Sequence, residues 1–296
     1  MPPVPNTLSL RTAHAPTFNW SRDLPDFRDD TPAAIADLFT SLKRRATRAA
    51  RPEAVDLREY LAPIGDADSH ASSAAAVLAL VQYFERRALG RLFQGSAAFL
   101  DYTARRLAGL DTAASSATSP VGLRNTLKAL TRFGCPPAHV WPRDTDRDEP
   151  RNEGPDAFCY GFQRDFAELR YVRLDVPGLG GAEVLKQVKS FLAAGFASVC
   201  GAVLPESMSN AAEIPYPTRH DALVGGTALT VVGYDDAYRI RSQKGALLVR
   251  ATFGGAWGAE GFGYLPYRYV EEFGACDFWT LVKPEWLKSR EFEQPR

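Results

Sequence analysis

From Ala74 to Val81 every side chain is Ala, Val or Leu, and polar residues return only at Gln82 and then at Glu85, Arg86 and Arg87. A helix that is apolar all round is packed all round, so this run predicts a helix buried at the centre of its lobe. The loop before it, from Pro63, carries Ser69, Ser72 and Ser73, each an acceptable N-cap. The positive end of the helix dipole falls on the same spot, where it would stabilise the anion of a nucleophile. Further helices are predicted over Ala97 to Leu107 and over Gly122 to Phe133, the latter closed by Gly134 and stopped by Pro136 and Pro137. Upstream, Ala34, Ile35, Leu38, Phe39 and Leu42 keep helical spacing within residues 32–50. Before them, Trp20 and the segment from Asp23 to Asp29 read as an extended strap lying on a folded body. Residues 111–119, rich in Ala, Ser and Thr, read as a surface loop.

The second half changes period. Tyr171 to Leu174 is strand-like, a helix is predicted from Ala182 to Ala194, and strands follow near 197–204, 227–234 and 246–252. The glycine-rich stretch from Phe253 to Tyr264 is turn-dominated. Helices first and strands after is the order of an α+β protein with segregated lobes. The expected division is residues 1–50 as strap and helix, 51–150 as a helical lobe and 151–296 as a β-rich lobe.

Composition narrows the class. The 296 residues hold 35 basic and 35 acidic side chains, which argues against a nucleic-acid or membrane-surface binder. Four cysteines lie far apart with no C-x-x-C pair, so there is no zinc signature, and so few in a chain this long are not expected to form a disulfide framework. The start, Met1 to Asn6, lacks the basic and apolar regions of a signal peptide, and no apolar run is long enough to span a bilayer. The expectation is a cytoplasmic protein with no cofactor and no metal.

Three stretches carry a resemblance. The first is Val55-Asp56-Leu57-Arg58, then Pro63-Ile64 and Asp66 through Val77, against V-D-L-R…P-V-x-D-Q-G-x-x-G-S-C-(W/T)-A. The second runs from Gly225 to Asp236, against G-G-H-A-x-x-x-V-G-Y-D-D. The third runs from Val249 to Gly258 and from Gly261 to Tyr267, against V-x-N-S-W-G-x-x-W-G-x-x-G-Y-G-Y-L-P-Y. In order and spacing the chain resembles the papain-like cysteine peptidases, particularly their bacterial members. The resemblance implies a two-lobe fold: a helical N-terminal lobe around a central buried helix, and an antiparallel, β-barrel-like C-terminal lobe.

It also implies a cysteine nucleophile, a histidine base, an asparagine that orients the ring and a glutamine that donates to the oxyanion. Ser73 stands at the cysteine position, Thr227 at the histidine, Ala251 at the asparagine and Ala67 at the glutamine. Phe253 replaces the shielding tryptophan, whereas Trp257 is kept. A serine hydroxyl is a weak nucleophile without a base, and threonine has none to offer. The expectation is therefore a pseudopeptidase that binds a protein or peptide partner as scaffold, regulator or accessory subunit. Ala74, Phe253, Pro120 and Trp257 are expected to line its groove. Pro120, if it falls where the family pairs with substrate backbone, offers no N–H.

Other readings stay beside this one. Ser73 with His70 or His220 makes a residual or repurposed hydrolase, although no motif supplies the third orienting group. Asp66-x-Asp68-x-His70 is a possible metal loop, with a solvated loop as the plainer reading. Cys200 and Cys276 sit in apolar, strand-like surroundings that suit buried thiols better than displaced nucleophiles.

Overall fold

The computed structural model describes residues 20–35, 51–64, 71–110, 119–142, 154–209, 211–289 and 292. The expected helix beyond residue 35, residues 65–70 with Ala67, Asp66, Asp68 and His70, and most of the 111–119 loop lie outside the described residues.

The buried helix is α1, Ser72–Leu89, longer at both ends than its apolar core and stopped by Gly90 in the left-handed region (φ 67°). Two helices follow, α2 (Ala97–Ala108) and α3 (Leu123–Phe133). Ser96 caps α2 by accepting from the Phe99 N–H at 3.0 Å. Of the candidate serines, Ser69 lies outside the described residues, and neither Ser72 nor Ser73 is the N-cap of α1. Its N-cap is Ala71, which makes no side-chain cap bond. Ser72 and Ser73 fall inside the first turn, and their hydroxyls tie the helix to neighbouring segments instead.

Seven strands form one sheet. They are β1 (Ala54–Asp56), β2 (Arg170–Arg173), β3 (Ser198–Pro205), β4 (Leu223–Ile240), β5 (Gln243–Arg250), β6 (Phe262–Pro266) and β7 (Ala275–Val282). The main path is β2-β7-β3-β4-β5-β6, antiparallel throughout, with β1 pairing β4. Helix α4 (Gly181–Ala193), two single-turn helices, α5 (Arg268–Glu271) and α6 (Pro284–Leu287), and two 3-10 helices, Arg58–Tyr60 and Ala157–Phe166, complete the elements among the described residues. At 18 residues β4 far exceeds the expected 227–234. One of its edges serves β3 and then β1, while β5 pairs the other from Thr230 onward.

Helix α1 packs against this sheet. Val77, Leu80, Tyr83 and Phe84 are fully buried, each worth about 1.5–3 kcal/mol as apolar burial. Thr230 Oγ1 on β4 donates to the Ala76 carbonyl at 3.1 Å, and the Tyr83 hydroxyl donates to the Gly195 carbonyl at 2.7 Å. Phe84 stacks on Trp286 of α6 with ring centroids 4.9 Å apart.

Candidate functional site

The first turn of α1 faces the start of β4. Ser72 Oγ accepts from the Ala228 N–H at 3.3 Å, which ties the segment that carries Ser73 to the segment that carries Thr227 where helices and sheet join. Ser73 is 2% exposed, and its hydroxyl donates to the Val121 carbonyl at 2.8 Å. Thr227 is 1% exposed, with Oγ1 unpartnered among the described residues. Ala251 follows the last rung of β5, Arg250 opposite Thr230, and its N–H donates to the Gly261 carbonyl at 3.1 Å.

The expected lining residues divide. Ala74 is buried in the first turn of α1, whereas Pro120 is exposed. Its buried neighbour Val121 makes the backbone pairing, so the missing proline N–H removes nothing there. Phe253 and Trp257 form an edge-to-face pair at 5.3 Å, and Trp257 Nε1 donates to the Ser209 carbonyl at 3.2 Å.

Between Val121 and β4 lies the strap. Trp20 makes a parallel bridge with Val121, and its N–H donates to the Gly226 carbonyl at 3.3 Å, spanning from the helical side to the sheet. The indole, 9% exposed, covers β3 and β4 where both carry glycine. A Cβ at Gly201 would overlap the ring, and one at Gly226 would come within 2.7 Å of it. Glycine within a strand pattern marks a place where another chain segment approaches closely. That signal, Gly201 with Gly225-Gly226, was present in the sequence, but nothing there said which segment fills the space.

Beyond Trp20 the strap is pinned by charge. Helix α3 has Gly122 at its N-cap and no cap side chain of its own. Asp23 supplies one: the Arg124 N–H donates to Asp23 Oδ2 at 2.8 Å. The Asp23 N–H in turn donates to Asp277 Oδ2 at 2.8 Å. Farther on, Asp29 pairs with Arg124 at 2.6 Å and Asp30 with Arg170 at 2.9 Å, and the Arg173 N–H donates to the Asp30 carbonyl. Asp277 sits in a bulge of β7 at φ 56°, where Arg173 pairs with it at 2.9 Å. Burial, with the nearby charges of Asp23 and Asp175, pushes the Asp277 carboxyl up to about 7. Burial also raises Asp23. Sequence reasoning missed this network, because its members are scattered from residue 23 to 277.

Other reactive groups are quiet. All four cysteines are buried and none is in a disulfide. Burial pushes the Cys135 and Cys276 thiols up to about 12 and Cys200 well above its ordinary value, so none of these three is a ready thiolate. The exposed His220 accepts from Arg219 Nε at 3.3 Å. Among the described residues no group of three His, Cys, Asp or Glu side chains is placed to hold a metal, and no helix is long and apolar enough to cross a membrane.

The solved structures decide the architecture. The chain is similar to xylellain, a cysteine protease from Xylella fastidiosa, at 26% identity and a TM-score of 0.72, covering 90% of this chain and 96% of that one. The chain has the papain-like fold. The α+β, two-lobe expectation is met, and the papain-like sheet and helices described above are its lobes. Procathepsin B from Trypanosoma congolense matches at 16% identity and a TM-score of 0.57, over 90% of this chain and 85% of that one. A digestive procathepsin L from the larval midgut of Tenebrio molitor matches at 13% and 0.54, over 90% and 83%. Among curated proteins, an uncharacterized peptidase C1-like protein of Acanthamoeba polyphaga mimivirus is 24% identical over 166 residues, which is 54% of this chain. The match spans half the length of that relative (50%). No family model matches the papain-like chain.

Proposed function

We propose that this papain-like protein is catalytically silent and works by binding a peptide or protein partner in the groove between its lobes, as a scaffold, regulator or accessory subunit. The observation that carries the reading is the state of Ser73. Its hydroxyl is buried and donates to the Val121 carbonyl, an acceptor that takes up no proton near neutral pH. Thr227, aligned with the base position, has no basicity to offer. A serine without a base stays a weak nucleophile, and Ala67 and Ala251 bring neither an oxyanion donor nor a ring-orienting amide. The surroundings still favour peptide: backbone groups on both sides, at Val121 and Gly226, already pair with an extended segment.

The test is incubation of a mixed peptide pool with the wild-type chain and with Ser73→Ala, read by mass spectrometry for new termini. No turnover is expected from either. Cleavage by the wild type that disappears in Ser73→Ala would overturn the silent reading and make Ser73 a working nucleophile.

A further inference from the structure

Resting on that reading, we infer that the groove selects an extended peptide in which a tryptophan is followed three residues later by an aspartate, and that the chain's own strap, Trp20 to Asp23, occupies the site by carrying this pattern. Two separate features define the selection. The first is the aromatic seat. Trp20 pairs through its backbone on both sides, and its indole fills the space left by Gly201 and Gly226. The second is a carboxylate seat at the N-terminus of α3. There the Arg124 N–H donates to Asp23 Oδ2, and a Cβ at Gly122 would overlap Asp23 Oδ1. The helix has no cap side chain of its own, so an incoming carboxylate completes it.

The spacing between the two seats is fixed by the fold. Three extended residues reach about 10 Å, the step from the β3–β4 glycines to the α3 terminus that the strap already takes. The rest of the strap adds little to selection. Leu24 and Phe27 are 80% and 98% exposed, so they fill no pocket. Asp29 and Asp30 are held on Arg124, Arg170 and Arg173, outside the aromatic seat. They keep the strap attached when its Trp20 end lifts. Recognition therefore reduces to the aromatic ring, the carboxylate and the backbone between them.

The experiment uses the full chain and a fluorescent peptide with the sequence of Phe18 to Asp26, which leaves the Asp29 and Asp30 anchors uncontested. Binding is followed by anisotropy to the wild type and to a Trp20→Ala/Asp23→Ala double variant whose own strap no longer fills either seat. The double variant is expected to bind the peptide at least about tenfold more tightly than the wild type. Replacing either the tryptophan or the first aspartate of the peptide by alanine is expected to weaken binding by about tenfold or more. These peptide changes need no further change to the protein, so misfolding cannot imitate the result, and a thermal melt confirms that the double variant is folded. Equal binding of the alanine peptides, or equal binding to both proteins, would overturn the inference. Unselective retention of random extended peptides by the double variant would overturn the pattern while leaving the groove a peptide site. No binding of any peptide would overturn both.

Discussion

Single residues hold two of the consequences. Putting a thiol at position 73 does not by itself restore the chemistry of papain-like peptidases. Ser73→Cys is expected to show no hydrolysis of a peptide pool and to react with iodoacetamide more slowly than a free thiol, because the site is buried and has no imidazole partner among the described residues. Rapid alkylation near neutral pH would mean that a base reaches the site after all. The other consequence belongs to Asp277. Its carboxyl faces Asp23 from the strap, Asp175 from the loop after β2 and Arg173 on β2, while Arg22 of the strap and Asp277 itself act on the neighbouring Cys276. With its folded value raised to about 7, the seated state holds a proton between about pH 4 and 7 that the unfolded chain releases. Stability is therefore greatest on the acid side of this window. It falls as pH rises toward 7, by up to about 1.4 kcal/mol per pH unit, and is level above. Urea unfolding between pH 5 and 8 should show this decline, and Asp277→Asn should make it shallower, the raised carboxyls of Asp23 and Asp175 keeping part of it. A stability that rises across the window would contradict the assignment.

At the level of elements, the strap and β2 depend on one buried cation. Arg173 meets Asp277, Asp175 and Asp29 while almost wholly buried itself. Arg173→Met would leave these carboxylates facing one another and is expected to destabilise by about 3–5 kcal/mol, measured as a shift in the urea midpoint. Much of the element order was legible beforehand. Helices α1 and α3 could be read because their apolar spacing and terminal glycines are local signals. β4 was read short because Gly225-Gly226 and Asp235-Asp236 resemble turns, while in the fold they continue a strand with partners on both edges. The sequence around Cys276 is strand-like, but the extent of β7 is not legible in it, since Asp277 interrupts the apolar run and takes the left-handed backbone of a bulge. Within the candidate site, Ser73 and Thr227 could be aligned from motifs. The seat of Trp20 could not, because it exists only where three distant segments converge.

Across the whole molecule, polar links join the helical half to the sheet half. Thr230 Oγ1 to the Ala76 carbonyl is one, joining the central strand to the central helix. Thr230→Val keeps the shape and removes the donor, so a loss of about 1 kcal/mol is expected. A single cooperative transition should persist in differential scanning calorimetry. Two resolved transitions would show that this bond carries much of the coupling between the lobes. The parallel bridge of Trp20 is a different kind of link, because its occupant is covalently part of the chain. A tethered segment does not leave on dilution. Its local concentration stays near millimolar however little protein is present. The groove is thus as full at nanomolar as at micromolar protein. Only a competitor supplied in excess, or a cut between Asp23 and the Asp29 anchor, empties it.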